Sequence, residues 1–158
     1  MFREMRRKDR EMDLAEAKEL LERCDEGILS TISIDNGYPH PVCVNHYYDG
    51  EALYFHCAKK GHKLDNLKAN NKVSFICTSD IEILQSKYAT DYKSVIVYGR
   101  ASIVEDDQLR KEVLYNLSKR YVGKFIANFA KELAGSFKVT EVVKIEIDHI
   151  SGKKVKRK

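Results

Sequence analysis

The chain has 158 residues, of which 43% are hydrophobic and 33% are charged, and it contains two prolines and no tryptophan. This length and composition predict a single domain spanning residues 1–158, and they exclude a disordered or collagen-like chain. No apolar run approaches the roughly 20 residues that cross a bilayer, and the first ten residues lack the apolar stretch of a secretory signal. We therefore expect a cytoplasmic protein that does not enter the membrane.

The formal net charge of +4 comes from the two ends of the chain. Residues 1–10 carry five basic side chains, and residues 153–158 carry another five. The 142 residues between them hold 18 basic and 22 acidic side chains, so the body of the protein is mildly acidic. A basic end of six residues without interleaved aromatic residues, such as 153–158, is usually solvated, which argues against nucleic acid as a partner, and both ends are expected to be flexible.

The first half of the chain predicts a helix followed by antiparallel strands. Asp13 and Glu16 have the spacing of a capping box, and apolar residues follow at helical intervals as far as Cys24. Beyond this helix, β-branched runs and turn signals predict four strands, with a short helix after Gly61 between the third and the fourth. The predicted strands are 28–34, 41–47, 52–58 and 73–78.

The second half completes an α+β pattern. Residues 80–91 have no clear periodicity, and residues 92–104 form the longest strand-like run, interrupted by Gly99, where a bulge or a sharp bend is expected. Two helical segments and a last strand follow, at 109–117, 125–135 and 139–150. The fold class predicted is α+β, with a six-stranded antiparallel sheet curled into a small barrel and flanked by helices.

Two groups of histidine and cysteine residues have the composition of a reactive site but the wrong geometry. His40, Cys43 and His46 lie on a predicted strand, where alternate side chains point to opposite faces, so the thiol diverges from the two imidazoles. We interpret them as exposed histidines and a buried thiol. His56 and Cys57 diverge for the same reason, which disfavours a thiol nucleophile. We therefore expect no metal site, and cysteines that are reduced and mostly part of the core.

The segment 53–64 is the most informative in the chain. A strand runs into a basic loop, and a helix then begins, so positive side chains and unpaired backbone N–H groups converge. The pattern predicts a phosphate pocket, with a solvated basic loop as the alternative, because the loop has no P-loop or dinucleotide glycine pattern. The loop contains Lys59, Lys60, Gly61, His62 and Lys63.

Several segments together resemble the flavin-binding split-barrel proteins related to pyridoxamine 5′-phosphate oxidase, and among these the nitroimidazole-resistance (Nim) branch. The segments lie between residues 6 and 154 and read GILSTIS, NGYPHPVCVN, LYFHCAKKGHKLDNL, VSFI, SVIVYGRASIVED and IEIDHISGKK. The resemblance implies a six-stranded split β-barrel, a homodimer, and FMN bound in two grooves between the subunits.

The resemblance also assigns the phosphate-binding segment of the family to residues 55–64. His62 and Lys63 stand where relatives commonly have Arg followed by Lys. Because a neutral imidazole lacks the charged fork of a guanidinium, either His62 is protonated beside the phosphate or Lys59 and Lys63 supply most of the charge. The cofactor-binding residues implied are Ser30, Thr31, Val44, Asn45, His56, Cys57, Ala58, Lys59, Gly61, His62 and Lys63.

His56 matches the histidine that Nim proteins place near the flavin, which implies a catalytic role in handling the substrate. From the residues alone, a hydrogen-bonded core histidine is the alternative. Tyr92 and Ser94 fall in a segment that relatives use around the dimer groove. The sequence ends IEIDHISGKKVKRK and lacks the Arg- and His-rich C-terminal segment of the true pyridoxamine-phosphate oxidases, which argues against vitamin B6 oxidation.

Three functions follow from these expectations. The first is an FMN-dependent oxidoreductase that passes reducing equivalents to a small planar molecule such as a nitroaromatic. The second is a flavin-binding or redox-sensing protein that turns nothing over. The third keeps the barrel but binds deazaflavin or haem. The absorbance spectrum of the purified protein distinguishes them.

Overall fold

A computed structural model describes residues 1–157 as a seven-stranded antiparallel sheet with four flanking α-helices. The strands are β1 Glu26–Ile32, β2 Pro39–Asn45, β3 Tyr47–Tyr48, β4 Ala52–Ala58, β5 Lys72–Leu84, β6 Ala89–Ile103 and β7 Thr140–Val155. The helices are α1 Leu14–Arg23, α2 His62–Ala69, α3 Asp107–Val122 and α4 Phe129–Ser136. The α+β class is confirmed, and the two-residue β3 accounts for the additional strand.

The strands follow the order β2-β1-β5-β6-β7-β4-β3, and every neighbouring pair is antiparallel. This arrangement agrees with a split barrel whose sheet is not closed. The bulge expected at Gly99 is confirmed, because the register of β6 against β7 shifts between Tyr98 and Gly99. A Cβ atom at Gly99 would overlap the carbonyl oxygen of Glu146, so the strands can approach this closely only at glycine.

Residues 80–91, for which the sequence predicts no regular structure, belong largely to a β5–β6 hairpin. The pairing resumes at Glu82 opposite Asp91 after a register shift, and Asp80 adopts a left-handed backbone with a φ of 54°. Most of the hairpin end is exposed on both faces, so it lacks the alternation that reveals a strand. The last strand is also longer than expected and extends to Val155, so Lys153 and Lys154 lie in β7.

The inner face of the sheet packs against α1. This helix starts as the capping box predicts, since the side chain of Asp13 accepts a hydrogen bond of 2.8 Å from the backbone N–H of Glu16. Leu20 and Leu21 are buried against Phe75 and other core side chains. None of the helices in residues 1–157 is long and apolar enough to cross a membrane.

The strand β4 contributes to two hydrophobic clusters at once. Leu53 and Phe55 are buried in the main core, together with residues of α1 and α2. Ala52 and Tyr54, on the opposite face of the strand, are buried against Val113 and other residues of α3 and β7. The sequence ALYF is therefore apolar on both faces, as expected of a strand covered from two sides.

Two arginines and a tyrosine fix α3 to the sheet. Arg110 donates hydrogen bonds to the carbonyl oxygens of Phe137 and Thr140, at the start of β7. Near the other end of α3, Arg120 donates to the carbonyl oxygen of Cys24 at 2.6 Å, and the Tyr121 hydroxyl accepts a hydrogen bond of 3.1 Å from the backbone N–H of His46. The helix therefore has a defined position above β4.

The position of α2 depends on a buried asparagine. Asn66 is fully buried, and its amide nitrogen donates a 2.9 Å hydrogen bond to the hydroxyl of Thr31 on β1. Its amide oxygen accepts a 3.0 Å hydrogen bond from the backbone N–H of Ile34. These two bonds join the helix that follows the basic loop to the end of β1.

Replacement of Asn66 tests this link. We expect Asn66→Ala to lower the free energy of unfolding by about 2–4 kcal/mol, because the Ile34 N–H loses its partner and the Thr31 hydroxyl loses its donor and keeps only the carbonyl oxygen of His40. Urea denaturation followed by circular dichroism measures the change. Lys68→Ala, on the exposed side of the same helix, is the control and should change the value by about 0.5 kcal/mol or less. Equal stabilities of the two variants would contradict the assigned role.

Candidate functional site

His56 and Cys57 lie on opposite faces of β4, as the sequence predicts. Cys57 is half-buried on the side of Phe55 and the main core, whereas His56 is on the side of Tyr54 and α3. Burial raises the pKa of the Cys57 thiol, and the positive Lys63 opposes this only partly. A thiol with a raised pKa is a poor nucleophile, so this face of the strand is not reactive.

His56 has no hydrogen-bond partner in the part of the chain that the structure describes. The alternative suggested by the residues alone, that His56 is a hydrogen-bonded core histidine, is therefore wrong. Part of the ring is open to solvent, but the surrounding protein lowers the pKa of His56, and the charge of Lys63 lowers it further. At neutral pH the ring is accordingly uncharged and free to exchange a hydrogen bond with a ligand.

The N-terminus of α2 has the donor groups that an anion requires. Gly61 precedes the helix with a φ of 138°, and among residues 1–157 no side chain caps this end of the helix. The first hydrogen bonds of the helix are donated by Leu64 and Asp65 to the carbonyl oxygen of Gly61, so the N–H groups of His62 and Lys63 precede them. A Cβ atom at Gly61 would meet nothing within 4 Å, so there is open space beside these donors.

The three lysines around this helix end are not equivalent. Lys59 forms an ion pair of 3.5 Å with Glu141, so its charge is partly compensated. Lys63 is half-buried, and its Nζ atom lies 5.0 Å from the centre of the Phe55 ring. Lys60 is exposed and has no ion-pair partner in the described chain. Lys60 and Lys63, like the helix N–H groups, are therefore donors of the kind that bind a phosphate monoester.

His62 contacts the β1–β2 turn. Its Nε2 atom is 3.1 Å from the Ser33 hydroxyl and 3.2 Å from a carboxylate oxygen of Asp35, and its ring centre is 4.4 Å from that of His40. The sequence leaves open whether His62 or the lysines carry the positive charge for a phosphate. Because the Asp35 carboxylate already contacts the imidazole of His62 in this conformation, Lys60 and Lys63 are better able than His62 to supply the positive charge for a phosphate.

His40, Cys43 and His46 do not converge. Cys43 points away from the side of β2 on which His40 lies, as the alternation predicts, and His46 follows the end of the strand. The expected exposure is wrong, because His46 is buried and Cys43 is exposed. The Nε2 atom of His46 lies 2.7 Å from the carbonyl oxygen of Leu21, and burial lowers the pKa of the imidazole. In residues 1–157 no group of three or more His, Cys, Asp or Glu side chains could hold a metal ion.

The remaining predicted site residues lie in different environments. Ser30 is paired with Pro41 and Ser74 within the sheet, and Thr31 is buried beneath α2. Val44 is part of the main core. Only Asn45 reaches the side of the sheet where His56 lies, and its amide also donates a 3.0 Å hydrogen bond to the carbonyl oxygen of Asp25. Ala58 is exposed where β4 enters the basic loop.

A cleft of about 300 Å³ lies between β4, α3 and α4, and His56 and Asn45 belong to its lining. Most of its other residues are apolar side chains from the two helices. The sequence identifies these only as residues of predicted helices, because nothing in their spacing reveals that the two helices leave a gap. The helical residues in the lining include Leu114, Leu117, Val122, Phe129 and Leu133.

A larger cleft of about 740 Å³ lies elsewhere, between the N-terminal turn, the β5–β6 hairpin and the end of β7. Tyr92 belongs to its lining, but much of its charge is paired, since Lys93 and Lys154 both contact the carboxylate of Glu16. Ser94 borders a third cleft beside the N-terminal residues. Neither Tyr92 nor Ser94 therefore lines the cleft that contains His56. The smaller cleft is the better candidate site because it contains two of the predicted site residues, His56 and Asn45.

Comparison with solved structures supports the fold. A candidate 5-nitroimidazole antibiotic resistance protein from Bacteroides thetaiotaomicron has a TM-score of 0.73 at 18% identity, over 90% of this chain and 85% of that one. A FAD-binding protein from Mesorhizobium loti gives 0.69 at 23% identity, over 93% and 98%. The haem storage protein HutZ from Vibrio cholerae gives 0.66 at 19% identity, over 89% and 94%. Similarity at these identities shows a shared fold.

No curated protein matches the chain at a significant level. The family model described as pyridoxamine 5′-phosphate oxidase, in contrast, matches residues 13–154, which is nearly the whole sequence. This match covers β4, the basic loop, α2 and both helices of the cleft. The resemblance drawn from the sequence is therefore confirmed, and the chain belongs to the pyridoxamine 5′-phosphate oxidase family.

Proposed function

We propose that the protein is a cytoplasmic, homodimeric, FMN-dependent oxidoreductase that reduces a small planar acceptor such as a nitroimidazole or another nitroaromatic. The observation that carries the proposal is the arrangement along β4. Within residues 1–157, the strand leads from an uncharged His56 without a hydrogen-bond partner to the lysines and uncapped N–H groups at the start of α2. The four free cysteines agree with a reducing compartment.

The residues at the start of α2 are proposed to hold the FMN phosphate. Lys60, Lys63 and the N–H groups of His62 and Lys63 are the donors, and Gly61 leaves the space beside them open. The bound flavin supplies the redox chemistry. The family and the neighbours named for 5-nitroimidazole resistance and FAD binding support this assignment.

His56 is proposed to supply a proton to the acceptor. Reduction of a nitro group to a nitroso group takes up two electrons and two protons and releases one water molecule, with reduced nicotinamide as the electron source. The imidazole has no competing hydrogen bond within residues 1–157, so it can approach an oxygen atom of the acceptor. Asn45, in the same lining, can orient the acceptor by a hydrogen bond.

Haem is the second candidate ligand, because one neighbour is named as a haem storage protein. The same absorbance spectrum decides between the two ligands. A flavin spectrum retained through desalting supports the proposal, whereas a haem Soret band in protein purified with both ligands supplied supports the alternative.

Removal of the positive charge at Lys63 tests the phosphate site. We expect Lys63→Ala to weaken FMN binding by about tenfold or more, because a charge-assisted hydrogen bond to phosphate is lost. Quenching of flavin fluorescence measures the dissociation constant. Lys68→Ala, on the exposed side of the same helix, should bind FMN like the unmodified protein. Protein that remains colourless after FMN addition would overturn the proposal itself.

The pH dependence tests His56 as a proton donor. Because the pKa of His56 is lowered, little of it is protonated at pH 7, so the turnover number for a nitroaromatic should rise as the pH falls towards the pKa. We expect His56→Gln to lose about 100-fold or more in turnover and to lose this pH dependence, with FMN affinity retained. Steady-state assays with reduced nicotinamide measure both effects. Full turnover by the variant would remove His56 from the mechanism.

Substitutions in the β5–β6 hairpin test whether the protein is a homodimer. Ile81, Ile83 and Tyr88 expose 63%, 72% and 97% of their surface, which is more apolar surface than a short hairpin usually leaves in water. We expect sedimentation equilibrium to give twice the mass of the chain, and the double variant Ile81→Lys, Ile83→Lys to shift the equilibrium towards the monomer. Ser86→Lys, at the exposed tip of the same hairpin, should remain dimeric. A monomeric unmodified protein would contradict the expected dimer.

A further inference from the structure

The cleft beneath α3 and α4 is poor in charge. Its lining contains no lysine or arginine, and its one carboxylate is Glu132 on α4. His56 is uncharged at neutral pH because its pKa is lowered by burial and by Lys63. This environment contrasts with the basic loop, which begins at Lys59, directly after the end of β4 at Ala58 and three residues beyond His56.

The lining is also divided by chemistry. The polar groups of His56 and Asn45 come from β4 and β2, whereas the two helices contribute mainly leucine and aromatic side chains. A volume of about 300 Å³ is at the small end of ligand sites and suits a molecule of one or two rings. Such a molecule would pack its ring against the helices and hydrogen-bond to the strands.

We propose that this cleft is the acceptor site and that it selects uncharged, ring-sized molecules over phosphorylated or carboxylated ones. The proposal rests on the proposed function for the identity of the reaction, but its ligand selectivity rests on the cleft alone. An anionic group placed there would lose its hydration, would find no lysine or arginine in the lining, and would be repelled by Glu132. Pyridoxamine 5′-phosphate and other phosphate esters are therefore excluded as substrates of this cleft.

The selectivity is tested with two probes that share a nitrophenyl ring and differ in charge, 4-nitrobenzyl alcohol and 4-nitrobenzoate. Titration calorimetry with the FMN-loaded protein should show the alcohol binding about tenfold or more tightly than the benzoate. In Glu132→Gln the difference should narrow, because the repulsion of the benzoate is removed. Equal binding of the two probes, or tighter binding of the benzoate, would overturn the proposal.

The location is tested by filling the cleft. Leu133→Phe adds volume on the α4 side, and Ala134→Phe places the same side chain at an exposed neighbouring position outside the lining. We expect Leu133→Phe to raise the KM for 4-nitrobenzyl alcohol and the dissociation constant of the probe by about tenfold, with Ala134→Phe unchanged. Ser118→Leu fills the cleft from the α3 side and should raise the same KM and dissociation constant. Agreement between the two variants shows that the effect does not come from misfolding of one of them.

The same variants separate this inference from the cofactor assignment. If the cleft holds the acceptor, Leu133→Phe retains the FMN affinity of the unmodified protein. A parallel loss of FMN affinity would show that the flavin itself occupies the cleft and would overturn the inference. If the protein binds no flavin, the proposed function fails, but calorimetry with the two probes still reports whether the cleft prefers the uncharged ring.

Discussion

Burial of β4 on both faces forces one short strand to serve two hydrophobic clusters. Each large apolar side chain that is fully buried stabilises the fold by about 1.5–3 kcal/mol, and Leu53 and Phe55 face one cluster while Tyr54 faces the other. A slip of one residue in register would exchange the two faces. The register is therefore fixed, and with it the direction of His56, which follows in the same alternation.

The fixed strand brings two different chemical environments close together. Its C-terminal end leads to Gly61 and the free N–H groups of α2, where lysine side chains add positive charge. On the other side of the strand, His56 faces the cleft beside the apolar helices, and the lining of that cleft contains no lysine or arginine. An anionic group is favoured at the first place and penalised at the second. The proposed division between a phosphate anchor and an uncharged acceptor follows from this difference.

The cover of the cleft is held unequally along its length. Hydrogen bonds from Arg110 and Arg120, together with the burial of Val113 and Leu117, fix α3 to the sheet. The following 3₁₀ segment Gly123–Asn128 and α4 contain no buried residues. Elements with few buried contacts open at lower free energy than the core, so entry into the cleft is expected on the α4 side.

Much of this protein can be predicted from local sequence. Four features can be recognised from residues that are neighbours in the sequence. They are the capping box at Asp13, the bulge at Gly99, the alternation that separates His56 from Cys57, and the basic loop at the start of α2. The family match extends over the same segments. These features depend on backbone preferences and on the two-residue period of a strand, which act over short distances.

Other features depend on contacts between residues far apart in the chain. The burial of Thr31 beneath Asn66, the pairing of His62 with Asp35, and the exposure of Cys43 with the burial of His46 are decided by which elements pack together. The hairpin at 80–91 lacks periodicity because both of its faces are mostly exposed. The cleft is a gap between α3, α4 and β4. The sequence pattern of each element does not show how far apart the elements pack, so only the tertiary structure could reveal the cleft.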